Sequence, residues 1–561
     1  MKLVITQPSN TSDSVEAHLA SKTASGSNDV VWTQGNDDTK TAIDDGSVVI
    51  TGDREITSKS LGKAHQPVVG IYGNPNGTGI AQALDSSYSA LLKDRRSLML
   101  SNIHQADGSP GRSLIITPER GIKPVRNVDL LPEAFDNVLQ SRINNRHYKT
   151  NLTQDSLPVS ITDDLEEISR YTKLWASWSL FPKFELKDEK YPGAEFGFVS
   201  KRTDTGTLIT ARGSNKEKPT INDYALVEKI EDGKTLHVKS VDKKASLNAP
   251  LAHYIFENRP EINYVVHSHI FMPEGANAST ITSPGTQEDW QSIESLVKAG
   301  AKIINQPLHG TLILLEKPDE LLEILKQNSL YHQNSELYDL AYARFQSSEQ
   351  RKTTLEKVVE GLGIAKDSSV LDLCCGTGAS TEALQDLGFT NIDIADGSRS
   401  MLSVAEKRLG KTGLQVSLPS LDGISKRYDL ITMRQAFNYI SPTEVRNFAG
   451  SLSSQMNSGA RFVFNTFGNL ESGIKTRDNE FEDNNTLVRT KEINHIDPDK
   501  VLHTQRSEIV DFNRDHWDAV LDINEFYQHD LDQVVAAFHD AGFKVETYME
   551  GNSICFTFIK N

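Results

Sequence analysis

Short apolar runs alternate with apolar-striped segments along most of this 561-residue chain. Runs at 2–6, 29–32, 47–51, 67–72, 97–100 and 113–117 have the length and composition of strands, and 15–23 and 80–92 between them have helical spacing. The pattern predicts an α/β arrangement over 1–140. From 163 to 180 the residues Leu165, Ile168, Tyr171, Trp175 and Trp178 recur every three or four positions, which puts them on one face of a helix. After Leu355 strands and helices alternate again.

Two polar stretches interrupt this pattern. One covers 141–162 and reads as a linker, and the other covers 346–354 and reads as a second linker. They divide the chain into 1–140, 163–345 and 355–561. At roughly 150 residues per domain the length accommodates three or four domains, so a multidomain α/β protein is expected.

Lys and Arg number 59 against 76 Asp and Glu, a formal charge of −17, and this field repels phosphate backbones. Broad nucleic-acid binding is therefore not expected. Only three cysteines occur, and Cys374 and Cys375 are adjacent, so neither a disulfide framework nor a CxxC pair is available. The opening residues lack a secretory apolar segment and no 18-residue apolar run occurs. The chain reads as soluble and cytoplasmic, without a membrane partner.

Gly73-Asn74-Pro75-Asn76-Gly77-Thr78-Gly79 follows a strand and precedes an apolar helix. Its amides can hold a nucleotide phosphate at the helix start, or the segment is a plain Gly/Asn/Pro turn. The resemblance of 1–140 to a Rossmann-like nucleotide-binding domain rests on this turn.

The middle segment carries a sharper signal. A buried-looking strand at 262–266 runs into His267-Ser268-His269. Strand period puts residues i and i+2 on one face, so both imidazoles can meet one ion, and His309 before the strand at 311–315 is a third candidate. Upstream lie Gly197-Phe198-Val199-Ser200-Lys201-Arg202, then Thr210-Ala211-Arg212-Gly213-Ser214-Asn215-Lys216, then Asn222-Asp223-Tyr224. In this order the segments resemble the class II aldolase/adducin N-terminal family over roughly 160–345. The resemblance implies a divalent ion on His267, His269 and His309, with Zn2+ first and Fe2+, Mn2+ or Co2+ as alternatives. It also implies a substrate phosphate or carboxylate near Gly197, Ser200, Arg212, Gly213 and Ser246, and a homo-oligomer, commonly a tetramer.

One position departs from the family. Its aldolases and epimerases carry an acidic proton-transfer residue where this chain has Asn248, and an amide cannot exchange a proton at neutral pH as a carboxylate does. Glu195, Glu274 and Asp289 are candidate replacements, with Glu274 the candidate catalytic residue and Asn248 a candidate substrate contact.

Ser369-Val370-Leu371-Asp372-Leu373-Cys374-Cys375-Gly376-Thr377-Gly378 is an apolar strand feeding a glycine turn and a helix. Close backbone approach needs the glycines, and no Walker Lys-Ser/Thr follows. The next strand ends at Asp396, placed to accept two ribose hydroxyls, and Tyr428-Asp429-Leu430-Ile431-Thr432-Met433 forms another. Together these resemble a class I S-adenosylmethionine-dependent methyltransferase with a seven-stranded sheet over about 355–560. The resemblance implies that Gly376 and Gly378 meet the methionine moiety, that Asp372 supports the loop and that Asp396 binds the ribose. The usual acidic residue beside the adenine falls at Ser417, followed by Leu418. Phe437, Asn438 and Tyr439 lie where the acceptor enters, with Tyr439 as a candidate catalytic side chain. Cys374 and Cys375 read as small buried residues near the ligand.

The expected protein is therefore bifunctional and acts on small molecules: divalent-metal lyase, dehydratase or epimerase chemistry on a polyol or sugar phosphate, and methyl transfer to a metabolite. The alternatives are a methyltransferase with a non-catalytic adducin-like assembly domain, and a binding protein that senses S-adenosylmethionine.

Overall fold

The computed structural model describes residues 2–6, 30–33, 47–51, 68–73, 78–93, 98–104, 110–126, 130–143, 146–183, 194–333, 335–342, 352–353, 355–356, 359, 361–467, 470–550 and 553–561. The helix expected over 15–23, the centre of the 73–79 turn and most of the 346–354 linker lie outside these residues. The chain divides into two compact units. The first is Met1–Leu321 with Glu480–Arg489 and Glu508–Ala519, and the second is Leu322–Asn479 with Thr490–Ser507 and Val520–Asn561. No helix among the described residues is long and apolar enough to cross a membrane.

The first unit holds two sheets. One has the spatial order Val30–Thr33, Lys2–Thr6, Ser47–Thr51, Val68–Gly73, Leu98–His104, Pro110–Ile116 and Ile122–Val125. Its first five strands are parallel and the last two antiparallel. The parallel part runs 2-1-3-4-5 in chain order, the arrangement of flavodoxin-like doubly wound sheets. Strand alternation builds two cores: Met99, Leu114 and Ile116 pack with helix Ile80–Lys93, while Leu98, Leu100 and Ile115 pack with helix Leu131–Ile143.

The start of helix Ile80–Lys93 is where a nucleotide phosphate was a candidate ligand. A carboxylate of the chain itself fills that position: Glu482 accepts from the Ile80 and Ala81 amides. A Cβ on Gly79 would lie 2.5 Å from the same carboxylate, and Arg489 clamps Asp85 of the helix at 2.6 and 2.7 Å. The free amides and partial positive charge of a helix start favour an anion, and here Glu482 satisfies them.

The other sheet of this unit has nine strands in the order Ala276–Asn277, Ile303–Gln306, Gly310–Leu315, Tyr264–Ser268, Phe198–Thr203, Gly206–Thr210, Tyr224–Glu231, Thr235–Ser240 and Lys149–Gln154. Lys149–Gln154 corrects the linker expected over 141–162, because it pairs in parallel with Thr235–Ser240 along six residues. Its mostly exposed, polar side chains hide an edge strand that is held by the backbone ladder, with only Leu152 packing on the core. Helix Thr162–Ser177 forms as its stripe predicts and buries Ile168 and Trp175, the latter edge-on to Tyr264.

The second unit is built on seven strands in the order Leu414–Gln415, Ile392–Asp396, Val370–Leu373, Tyr428–Met433, Met456–Thr466, Ser553–Lys560 and Phe543–Glu550. In chain order this is 3-2-1-4-5-7-6, and Ser553–Lys560 runs antiparallel to both of its neighbours. Phe437, Phe448, Phe462, Phe464, Phe538 and Phe558 stack in its core. Between its fifth and sixth strands in chain order the chain makes a four-stranded sheet: Gly473–Glu482, Thr486–Ile496, Lys500–Asp511 and His516–Tyr527.

Candidate functional site

Two clusters of chemistry-bearing side chains stand out, one in each unit. In the first unit, His267 and His269 leave the end of the central strand Tyr264–Ser268, and His309 sits on the turn joining Ile303–Gln306 to Gly310–Leu315. One ligand atom from each imidazole lies within 4.8 Å of the others, and all three side chains are buried. His267 Nδ1 lies 3.1 Å from the Thr311 carbonyl, so this nitrogen carries the proton and Nε2 presents its lone pair. His267 Nε2 is 3.2 Å from His309 Nε2. Burial holds His267 well below the usual imidazole range, with His309 and Lys216 adding to it, and takes His309 down to about 3. Three converging imidazoles, His267 and His309 held neutral by burial, are a donor set suited to a divalent transition ion.

The other expected residues of this region take separate roles. Gly197 has a φ of +84°, and a Cβ there would lie 2.3 Å from the His267 carbonyl. Gly197→Ala is expected to cost about 2 kcal/mol or more of stability in urea denaturation, because both the backbone and the close approach demand glycine. Gly213 also has positive φ, beside exposed Arg212. Ser200, a candidate substrate contact, is fully buried and donates its hydroxyl to the Val265 carbonyl at 3.1 Å, so its polar group is spent inside the sheet. Ser246 lies 3.4 Å from the Asn248 amide, and Asn248 is buried at the start of helix Ala249–Asn258. The Oδ1 of Asn248 has no hydrogen-bond partner among the described residues.

Of the three candidate carboxylates, Glu274 is exposed on the turn after the histidine strand. Glu195 accepts from the Lys216 and Glu217 amides at 2.6 and 3.2 Å. Asp289 is fully buried, accepts from Thr282, Gly285 and Gln306, and is pushed up to about 7 by burial. Lys216, at the end of the 210–216 segment, is an unexpected member of this region: it is buried, donates to the Glu195 carbonyl at 2.7 Å and is lowered to about 8 by burial.

In the second unit, Val370–Leu373 delivers Asp372 beneath the glycine turn. Asp372 accepts from Thr381 at 2.6 Å and Thr432 at 3.0 Å, and burial raises it to about 6. Cys374, Gly376 and Gly378 all have positive φ. A Cβ on Gly378 would meet Leu409 and Ala405, whereas nothing lies within 4 Å of one on Gly376, which leaves open space on the turn. Asp396 ends its strand with Oδ2 accepting from the Gly376 amide and Oδ1 from the Ser398 amide, both at 2.8 Å. Burial raises its pKa. Ser417 is exposed and Leu418 half-buried past the third strand.

The acceptor-side expectations need two corrections. Phe437 is fully buried and stacked on Phe464 at 4.2 Å, so it belongs to the core. Asn438 donates to the Tyr527 carbonyl and accepts from Thr466 Oγ1 and the Phe467 amide, which ties strand ends together. Tyr439 alone of the three keeps substantial surface open, at 38%. Its hydroxyl is held well above the usual phenol range by lost hydration first, then by Tyr338, Asp522, Asp396 and Cys374. The residue missed is Tyr331, whose hydroxyl donates to Asp396 Oδ1 at 2.7 Å while its ring stacks on Tyr439 at 6.1 Å. The available signal was three tyrosines, Tyr331, Tyr338 and Tyr342, within twelve residues before the domain.

Residues 345–548 match the family model described as a methyltransferase domain. Among solved structures, Streptomyces venezuelae DesVI is 18% identical, aligned over 41% of this chain and 98% of its own, with a TM-score of 0.37. The sugar N-methyltransferase KedS8 from Streptoalloteichus sp ATCC 53650 is 17% identical over 40% of this chain and 92% of its own, with a TM-score of 0.35. The amino pentose methyltransferase CalS10 from Micromonospora echinaspora is 17% identical over 40% and 97%, also at 0.35. No curated protein matches the chain. With the strand order, the glycine turn and Asp396 in place, the C-terminal part of the chain is a Rossmann-like, S-adenosylmethionine-dependent methyltransferase domain.

Proposed function

We propose that the protein is a two-part enzyme of small-molecule metabolism, in which the C-terminal domain methylates a metabolite and the 163–345 segment carries divalent-ion chemistry of the class II aldolase kind. The observation that carries the methyltransferase half is Asp396, a carboxylate fixed by the Gly376 and Ser398 amides beside open space on the glycine turn. S-adenosylmethionine, when bound, supplies an electrophilic methyl group. Asp396 binds the ribose hydroxyls, and Gly376 and Gly378 give the methionine end close access to the backbone. Asp372 braces the turn through Thr381 and Thr432, Ser417 and Leu418 border the adenine, and Tyr439 borders the acceptor. Methyl transfer needs alignment and exclusion of water more than proton transfer, so these positioning roles suffice.

For the other half, an ion on His267, His269 and His309, Zn2+ first, supplies Lewis acidity toward adjacent oxygens of a small substrate. Thr311 fixes the His267 tautomer for that role. Gly197, Arg212, Gly213, Ser246 and Asn248 are the residues proposed around the substrate, with Glu274 as the proton-transfer group. One observation favours a second reading of this half as an assembly domain: Asn248, with an unpartnered buried carbonyl oxygen, stands where the family has its carboxylate.

Incubating the full-length protein with methyl-labelled S-adenosylmethionine and a metabolite extract below 1 kDa tests the proposal. Label is expected in a small molecule, in amounts unchanged by EDTA. Label confined to macromolecules, or none beyond a no-enzyme control, would count against it.

A further inference from the structure

Resting on the methyltransferase reading above, we infer that the methyl acceptor is an amine, received as an ammonium ion beside Tyr439. Strand alternation puts Glu492 and Asn494, His503 and Gln505, and Asp522, Asn524 and Phe526 on one face of their strands. Side-chain bonds knit that face together. His503 Nδ1 lies 2.8 Å from Asn494 Oδ1, Asn494 donates to Glu492 at 3.0 Å, and Asn524 donates to Asp522 at 2.9 Å. The segment around 330–342 covers it: the Leu330 amide and the Tyr342 hydroxyl donate to Asp522 at 3.1 and 2.6 Å, and Gln505 donates to the Ala341 carbonyl at 3.1 Å. Asp522 is fully buried, its three hydrogen-bond donors are neutral, and His503 is the ionisable base in its field.

Tyr439 joins this face to the cofactor turn. Its hydroxyl lies within electrostatic reach of Tyr338, Asp522, Asp396 and Cys374. Its ring stacks on Tyr331 and meets Phe526 edge-on at 5.1 Å. A group approaching the open part of Tyr439 therefore meets π faces in the field of Asp522 and Asp396. An anionic acceptor is repelled there and an alcohol gains little, whereas an ammonium gains both ring and carboxylate attraction. Gln505 on the same face is fully buried, and its Oε1 has no partner among the described residues although its Nε2 is used twice, so this face holds an unused hydrogen-bond acceptor.

The chemistry balances simply. The ammonium R–NH3+ gives one proton to a base, His503 being the imidazole on this face. The lone pair of R–NH2 then forms the N–CH3 bond as the S–CH3 bond breaks, the electron pair of that bond staying on sulfur. S-adenosylhomocysteine and R–NH2+–CH3 are the products.

Ligand-observed NMR on the full-length protein loaded with S-adenosylhomocysteine can compare three probes on one skeleton: cyclohexylamine, cyclohexanol and cyclohexanecarboxylate. The amine is expected to bind about tenfold or more tightly than the other two. Asp522→Asn is expected to bring that preference to within about twofold, and Tyr439→Leu to reduce it if the buried Asp522 variant fails to fold. An amine bound no better than the alcohol, or a preference retained in every variant that folds, overturns the inference. Failure of the wild-type chain to bind S-adenosylhomocysteine overturns the methyltransferase reading instead.

Discussion

Exchange of Asp396 for alanine is expected to raise the Kd for S-adenosylhomocysteine by about 100-fold or more, the loss of two hydrogen bonds to a charged acceptor. The carboxylate does two jobs at once. It anchors the turn through the Gly376 amide and the next helix through the Ser398 amide, and it is the group proposed to take ribose hydroxyls. Asp396→Asn keeps one acceptor oxygen and should fall between the two. Ser417→Ala, at an exposed position, should change the Kd by less than about threefold. Isothermal titration of the three variants checks the ranking, and circular dichroism checks that each is folded.

The second large effect concerns the histidines. His267→Ala and His309→Ala are each expected to reduce bound divalent ion from about one per chain to below about 0.1, because a three-imidazole site loses a third of its donors. Elemental analysis of purified protein checks this. The same residues set a pH dependence in the metal-free chain. Both folded-state pKa values lie below the ordinary 6.5, and that of His309 lies near 3. The unfolded chain therefore takes up protons that the native imidazoles refuse. Stability from these groups is fully present above about pH 6.5 and is lost as pH falls toward 3, by up to about 1.4 kcal/mol per pH unit for each imidazole. Thermal melts of EDTA-treated protein across that window test the sign, and saturating metal should oppose the loss at its upper end.

What could be read from the residues alone was what is local in sequence. The strand, glycine turn and Asp396 fall within 27 residues of Val370, so their geometry follows from short-range backbone rules. His267 and His269 share a strand face for the same reason, and the Trp175 stripe needed only helical period. What was not legible depends on partners far along the chain. Glu482 reaches a helix start about 400 residues away, and Tyr331 reaches Asp396 across 65. Phe437 and Asn438 follow the fourth strand, where the acceptor is expected, but neighbouring positions in a 3-10 turn point to different surroundings. Phe437 entered the phenylalanine core, Asn438 tied two strand ends together, and Tyr439 alone stayed open. The strand at 149–154 was missed because its edge position leaves its polar side chains in water.

The most direct measurement of the central claim is calorimetric titration of S-adenosylhomocysteine into the wild-type, full-length protein. One molecule bound per chain, with affinity lost in Asp396→Ala, is the predicted result. Absence of binding by a folded chain, or binding that Asp396→Ala leaves unchanged, would contradict the account.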